Sequence, residues 1–166
     1  EDSFLGGHCV GHYLTALAQA VKVTGDKELK EKSQTLIAGL EECQKKLGTG
    51  FLFGAKVEDK EDVEKQFDIL VGKKKGETWV PWYNMHKVLA GLVDTYKYTG
   101  NETALLVAEK LGDWIYERVS KWDLKTNQKV LETEYGGMND CMNCIPPVII
   151  STIWRRRRNL MRKHFF

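Results

Sequence analysis

The fold is decided by the stretch LAGLVDTYKYTGNETA at residues 89–104, in which one predicted helix ends and the next begins. Residues 14–29, LTALAQAVKVTGDKEL, have the same arrangement. In both stretches an apolar segment with helical spacing runs into Thr-Gly, followed by Asp26 or Asn101, and the two turns lie 75 residues apart. Glycine is favoured at the position directly after a helix, and Asp or Asn caps the helix that follows. The sequence therefore predicts two copies of one helical hairpin.

Repeated hairpins cannot bury their apolar faces alone, so they stack into solenoids or closed helical barrels. We therefore expect an all-α fold of helical hairpin repeats with its site at one rim. Both repeats carry His and aromatic residues at the start of their first helix. Apolar spacing predicts helices over residues 9–23, 26–48, 63–70, 83–98 and 101–119, a linker through Asn127, an extended segment over 131–135 and a fifth long helix near Met138.

The composition is that of a globular chain, with 166 residues, 42% hydrophobic and 29% charged, which is enough for one domain with a core. The apolar run at residues 145–154 is too short to span a membrane, and it contains two prolines. Four cysteines without a tight framework favour a reducing compartment, so a cytoplasmic location is expected. The abrupt start at Glu1 indicates a trimmed N-terminus.

The charge is distributed unevenly along the chain. Residues 1–140 hold all 23 acidic residues and carry a net charge of −4, whereas residues 141–166 hold six bases and no acid. Helical periodicity also stops after Met142. We expect residues 1–142 to form the folded unit and residues 143–166 to be an atypical basic tail, frame-shifted or non-native. A basic tail can also bind nucleic acid, but we expect neither a nucleic-acid nor a membrane partner.

The segment GHCVGHY at residues 7–13 places His8 and His12 four residues apart, so both share one face of a helix. Zinc-binding histidine pairs have this spacing, although the Glu of a metalloprotease motif is missing. The alternative is one packed histidine and one polar residue at the rim. His12 is the better site candidate because it directly precedes the apolar run.

The segment TWVPWYNMHK at residues 78–87 is the richest in site-like residues. Flat aromatic rings such as Trp79, Trp82 and Tyr83 suit the apolar faces of sugars, and His86 can bond hydroxyl groups. The alternative, equally weighted, is a buried aromatic knot that closes the repeat.

Two acidic residues, Glu132 and Glu134, precede a double glycine, and in an extended segment they would face one site. Paired carboxylates serve as acid and base in glycoside hydrolysis. Helix capping by Asn139 or Asp140 explains part of this pattern equally well. Cys141 and Cys144 form a lone CxxC, for which we favour a structural reading over a redox or zinc site.

Together these segments resemble the bacterial β-L-arabinofuranosidase family. The resemblance covers residues 1–142 and rests on six motifs in the family's order: GHCVGHYL at 7–14, TGD at 24–26, EECQ at 41–44, WVPWYNMHK at 79–87, YKYTGN at 96–101 and EYGGMN at 134–139. It implies an (α/α)6 barrel as catalytic domain and hydrolysis, with retention, of terminal β-L-arabinofuranosides in plant glycans.

The resemblance also implies a zinc-held cysteine nucleophile and a Glu acid/base. In the family these lie in a later Glu-x-Cys motif and a Cys-Cys pair, beyond the matched segment. Cys141 and Cys144 do not correspond to them. We therefore assign no catalytic residue or metal ligand, and we expect no zinc in these 166 residues. The family's sugar contacts carry over to His86 and, by motif, to Trp79, Trp82, Tyr83, Glu134 and Asn139, with His12 as a further candidate.

The favoured interpretation is a glycosidase fragment that binds carbohydrate but is inactive alone. The alternative is a non-enzymatic helical-repeat module that binds a glycan or a protein. About two and a half hairpins leave inner helix faces exposed, which predicts self-association into a homo-oligomer.

Overall fold

The computed structural model describes residues 4–57, 59–134, 137–138 and 141. Within these residues the chain forms six α-helices and no strand, which confirms the all-α prediction. The helices are α1 (His8–Thr24), α2 (Lys27–Leu47), α3 (Lys65–Leu70), α4 (Pro81–Thr99), α5 (Glu102–Val119) and α6 (Leu124–Thr133).

The repeated turn has the same backbone structure in both copies. Asp26 accepts a hydrogen bond from the Leu29 amide at 3.1 Å, and Asn101 accepts one from the Ala104 amide at 3.0 Å. The preceding glycines, Gly25 and Gly100, have φ angles of 67° and 70°, in the left-handed region that closes a helix at little cost. The predicted pair of hairpins, α1–α2 and α4–α5, is confirmed.

The two hairpins pack side by side, first helix against first helix and second against second. The first helices approach most closely where Gly11 of α1 meets the backbone of α4 at Lys87, and where Gly91 of α4 meets Gly11. Thr15 donates a hydrogen bond to Asp94 at 2.9 Å across the same contact. On the outer side, the buried Gln44 amide of α2 donates to the Val107 carbonyl of α5 at 3.0 Å.

The excursion between α2 and α4 folds back onto the helices through an aromatic cluster. Phe67 of α3 is fully buried, and its ring centroid lies 4.8 Å from that of Trp82 and 5.2 Å from that of Trp114. Arg118 of α5 lies over the Phe67 ring and pairs with Glu64 at 3.2 Å and with Asp68. The predicted amphipathic helix at residues 63–70 therefore exists as α3, and its aromatic side chain enters the core.

Two expectations after α5 are wrong. The predicted linker through Asn127 and the extended segment over 131–135 are largely replaced by α6. Asp123 caps this helix by accepting from the Thr126 amide at 2.8 Å, and the core buries Asn127 and Val130. Burial of one face and a local cap outweigh the weak apolar periodicity of the segment.

Several predictions lie outside the described residues. They concern Tyr135, Asn139, Asp140, most of the helix expected near Met138, and residues 143–166 with their basic run. No helix in the described part of the chain has the length and apolar character needed to cross a membrane. Self-association stays a prediction.

Candidate functional site

The N-terminal ends of α1 and α4 place four aromatic and imidazole rings in a connected row. Ring centroids are 5.8 Å apart for His8 and His12, 6.0 Å for His8 and Tyr83, and 6.3 Å for Tyr83 and His86. We call these four residues the rim cluster. His12 and Tyr83 are exposed and His8 and His86 are half-buried, so the row faces an accessible surface.

Close backbone contacts hold the rim cluster together. Gly11, one residue before His12, touches the α4 backbone one residue after His86. Gly137 lies against the His86 ring, and a Cβ on this glycine would come within 2.7 Å of the ring carbon Cε1. Since a side chain at Gly11 would collide with backbone atoms of Lys87, this glycine is what allows the first turns of α1 and α4 to lie together.

The two tryptophans of the WVPW segment have different environments. Trp79 is 52% exposed, whereas Trp82 is 3% exposed and packs edge-on against Phe67 and against Trp122, whose centroid is 5.5 Å away. The buried aromatic knot that was the alternative interpretation therefore describes Trp82. Trp79 and Tyr83 are the residues of this segment with ring surface open to a ligand.

Glu134 lies beneath the rim cluster with its carboxylate against the start of α4. One oxygen accepts from the Trp82 amide at 3.3 Å and the other from the Tyr83 amide at 2.7 Å. The side chain is buried, and this burial raises the pKa of Glu134 to about 7, although the hydrogen bonds from Tyr83 and Trp82 act to lower it. Glu134 is therefore a carboxyl group that changes charge near neutral pH.

The expectation that Glu132 and Glu134 face one site is wrong. Glu132 lies on α6 and is exposed, while Glu134 follows the helix end and is buried. In a strand, residues i and i+2 lie on the same face, but in a helix they lie on different faces. The side chain of Glu132 therefore points away from that of Glu134. A carboxylate pair for acid–base chemistry is not formed by these two residues.

The structure thus brings together three of the predicted site residues, His12, Tyr83 and His86, with Glu134 adjacent to them. Trp82 lies in the core, and Asn139 is outside the described residues. His8, which the sequence analysis ranked below His12, joins the same row of rings. Its spacing of four residues from His12 was the available signal, because that spacing puts both imidazoles on the same helix face.

No group of three or more His, Cys, Asp or Glu side chains that could hold a metal is found among the described residues. Glu41 and Cys43 have Glu-x-Cys spacing, but Glu41 pairs with Lys45 at 2.7 Å and Cys43 is exposed on α2. Cys141 is buried, with its thiol 3.5 Å from the His86 carbonyl oxygen. The described residues therefore do not fit the zinc centre implied by the resemblance.

The described residues thus form an all-α pair of hairpins with histidine and tyrosine side chains at one rim. A family model described as "Beta-L-arabinofuranosidase, GH127 catalytic domain" matches residues 1–144 and corresponds to the N-terminal part of that domain. The chain belongs to this family of glycosidases, whose catalytic domain is an (α/α)6 barrel. Among curated proteins, no match to the chain is found.

Proposed function

We propose that this chain supplies part of the sugar-binding wall of a β-L-arabinofuranosidase-type glycosidase, with the rim cluster contacting a terminal arabinofuranoside. The observation that carries the proposal is the connected row of His8, His12, Tyr83 and His86 at one end of two adjacent helices. Membership of the family gives the ligand class, because glycosidases act on carbohydrate.

The chemistry of the rim cluster suits a small sugar. A neutral imidazole has one N–H donor and one acceptor nitrogen, so His12 and His86 can each bond a hydroxyl group in either direction. The exposed rings of Tyr83 and Trp79 offer flat apolar surface to the C–H face of the sugar. The ammonium group of Lys87 lies 5.2 Å from the centre of the Tyr83 ring, which is a cation–π contact. In this proposal, Trp82 and Glu134 support the contact residues from below, and Asn139 stays a candidate contact through its motif.

Substitution His86→Ala is expected to weaken the binding of methyl β-L-arabinofuranoside about three- to tenfold, because one or two hydrogen bonds to sugar hydroxyls are lost. Isothermal titration calorimetry on the 166-residue chain measures the effect. The matched control is Tyr98→Ala, at the opposite end of α4, for which unchanged affinity is expected. Equal affinities of the wild type and His86→Ala would contradict the assignment of His86 to the site.

We further propose that the hydrolytic groups lie in parts of the domain outside these 166 residues, which makes this chain a fragment of the active unit. The isolated chain is then expected to give no turnover of p-nitrophenyl β-L-arabinofuranoside above the uncatalysed rate, with or without added zinc. Release of p-nitrophenol, followed by absorbance, measures this. Turnover that is saturable in substrate and lost in His86→Ala would show that the chain holds its own catalytic groups.

A further inference from the structure

We propose that Glu134 is a positioning residue: its carboxylate holds the first turn of α4 and thereby sets the orientation of Tyr83 and His86. The inference rests on the proposed function, because these two residues are its proposed sugar contacts. It assigns Glu134 to the support of the site and not to contact with the sugar.

The first turn of α4 has no cap of its own. Helix starts leave backbone N–H groups without helical partners, and a local Asp or Asn side chain meets this need in α2, α5 and α6. At α4 the N-cap residue is Val80, whose side chain makes no capping bond, and Pro81 has no N–H. The next two amides, of Trp82 and Tyr83, are bound by Glu134, which comes more than fifty residues later.

The chain entering α4 is also strained. Val80 has φ 44° and ψ 49°, in the left-handed region that a β-branched residue rarely adopts. A residue before proline is normally extended, which makes this conformation less favourable still. Such a conformation persists only where surrounding contacts hold it. Here the contacts are the two hydrogen bonds to Glu134 and the packing of Trp82 against Phe67 and Trp122.

The same segment that contains Glu134 also holds His86. Gly137 lies against the His86 ring, where a Cβ would come within 2.7 Å of the ring carbon Cε1, and the Cys141 thiol contacts the His86 carbonyl oxygen. Tyr83 is held through its amide by Glu134 itself. The chain after α6 therefore touches both residues of α4 that are proposed to bind sugar, Tyr83 and His86. A negative carboxylate at a helix N-terminus is also favoured by the helix dipole, which offsets part of the cost of burying it.

Glu134→Gln and Glu134→Ala test the proposal, with Glu132→Ala as the matched control. Glu132 carries the same charge two residues earlier, but it is exposed on α6. In ¹⁵N-labelled wild type, the amide proton shifts of Trp82 and Tyr83 are expected to titrate with a midpoint near pH 7, where Glu134 ionises. This titration should be absent in Glu134→Gln. The other ionisable groups at the rim, His8, His12, His86 and Lys87, all remain in the variant, so any pH dependence that survives there does not come from Glu134.

The second readout is the state of the proposed sugar site, measured by the ring resonances of Tyr83 and His86 and by the affinity for sugar. Glu134→Ala is expected to shift the ring resonances of Tyr83 and His86 and to weaken binding of methyl β-L-arabinofuranoside about fivefold or more. Glu134→Gln keeps one acceptor oxygen and should restore part of the affinity, while Glu132→Ala should match the wild type. If Glu134→Ala does not fold, the amide titration in Glu134→Gln decides.

Two results would overturn the inference: an identical amide titration in the wild type and Glu134→Gln, or Tyr83 and His86 resonances and sugar affinity unchanged in Glu134→Ala. Failure of the proposed function can be distinguished from failure of this inference. If the wild type binds no sugar, the proposed function fails, but the amide titration and the ring resonances still test the role of Glu134.

Discussion

Gly11→Ala is expected to destabilise the fold by about 3 kcal/mol or more, because the new methyl group would collide with backbone atoms. A Cβ at this position would lie 2.0 Å from the Lys87 carbonyl oxygen and 2.2 Å from its carbonyl carbon. Backbone cannot move aside as a flexible side chain can, so α1 and α4 would have to separate. A loss of this size is a large fraction of the stability of an ordinary domain. Urea unfolding followed by circular dichroism measures it.

Gly39→Ala is the matched control, since it makes the same change inside a helix. Gly39 lies in α2 with no atom within 4 Å of the position its Cβ would occupy. Alanine is the better helix former, so this variant is expected to gain about 0.5–1 kcal/mol. Equal effects of the two substitutions would mean that α1 and α4 do not cross where described, and that the rim cluster is not held together by this contact.

Phe67→Ala is expected to cost about 3–5 kcal/mol, which is typical when a buried aromatic ring is removed and a cavity remains. Phe67 is fully buried and contacts Phe51, Trp82 and Trp114. Because the Phe67 ring contacts both α4 and α5, its loss should also weaken the packing of α3. Urea unfolding gives the free energy, and tryptophan fluorescence, to which Trp82 and Trp114 contribute among the five tryptophans of the chain, is a second readout.

Leu124→Ala is the control for Phe67→Ala, because Leu124 is 71% exposed and its removal leaves no cavity. An effect within about 0.5 kcal/mol is expected there. A Phe67→Ala chain as stable as Leu124→Ala would show that the excursion does not pack on the core through this ring.

The hairpin repeat could be predicted from the sequence because its determinants are local. Gly25, Gly100, Asp26 and Asn101 each act within one turn of the chain, and the structure shows the caps that the residue types predict. Helix α6 could not be predicted in the same way. Leu124 is exposed and Asn127 is buried, which is the reverse of the usual pattern. The spacing of apolar residues therefore does not indicate a helix in this segment. The Asp123 cap was its local signal.

The site was predictable to the extent that its residues lie in short motifs. His86 and Tyr83 stand in one segment and His12 in another, and the repeat indicated that both segments begin first helices. Whether Trp82 is open or buried depends on Phe67, which comes from the excursion. The role of Glu134 depends on amides more than fifty residues away. No local pattern encodes such contacts, so only the folded chain reveals them.

Sugar binding at the N-terminal ends of α1 and α4 is the basis of the proposed function. It is tested most directly by titrating the ¹⁵N-labelled chain with methyl β-L-arabinofuranoside and mapping the shifted resonances. We predict that the largest shifts fall on His8, His12, Tyr83 and His86. Shifts concentrated in the groove of about 390 Å³ between α2 and the start of α5, near Lys30 and Thr103, would contradict the claim, as would no shift at any residue up to a millimolar excess of sugar.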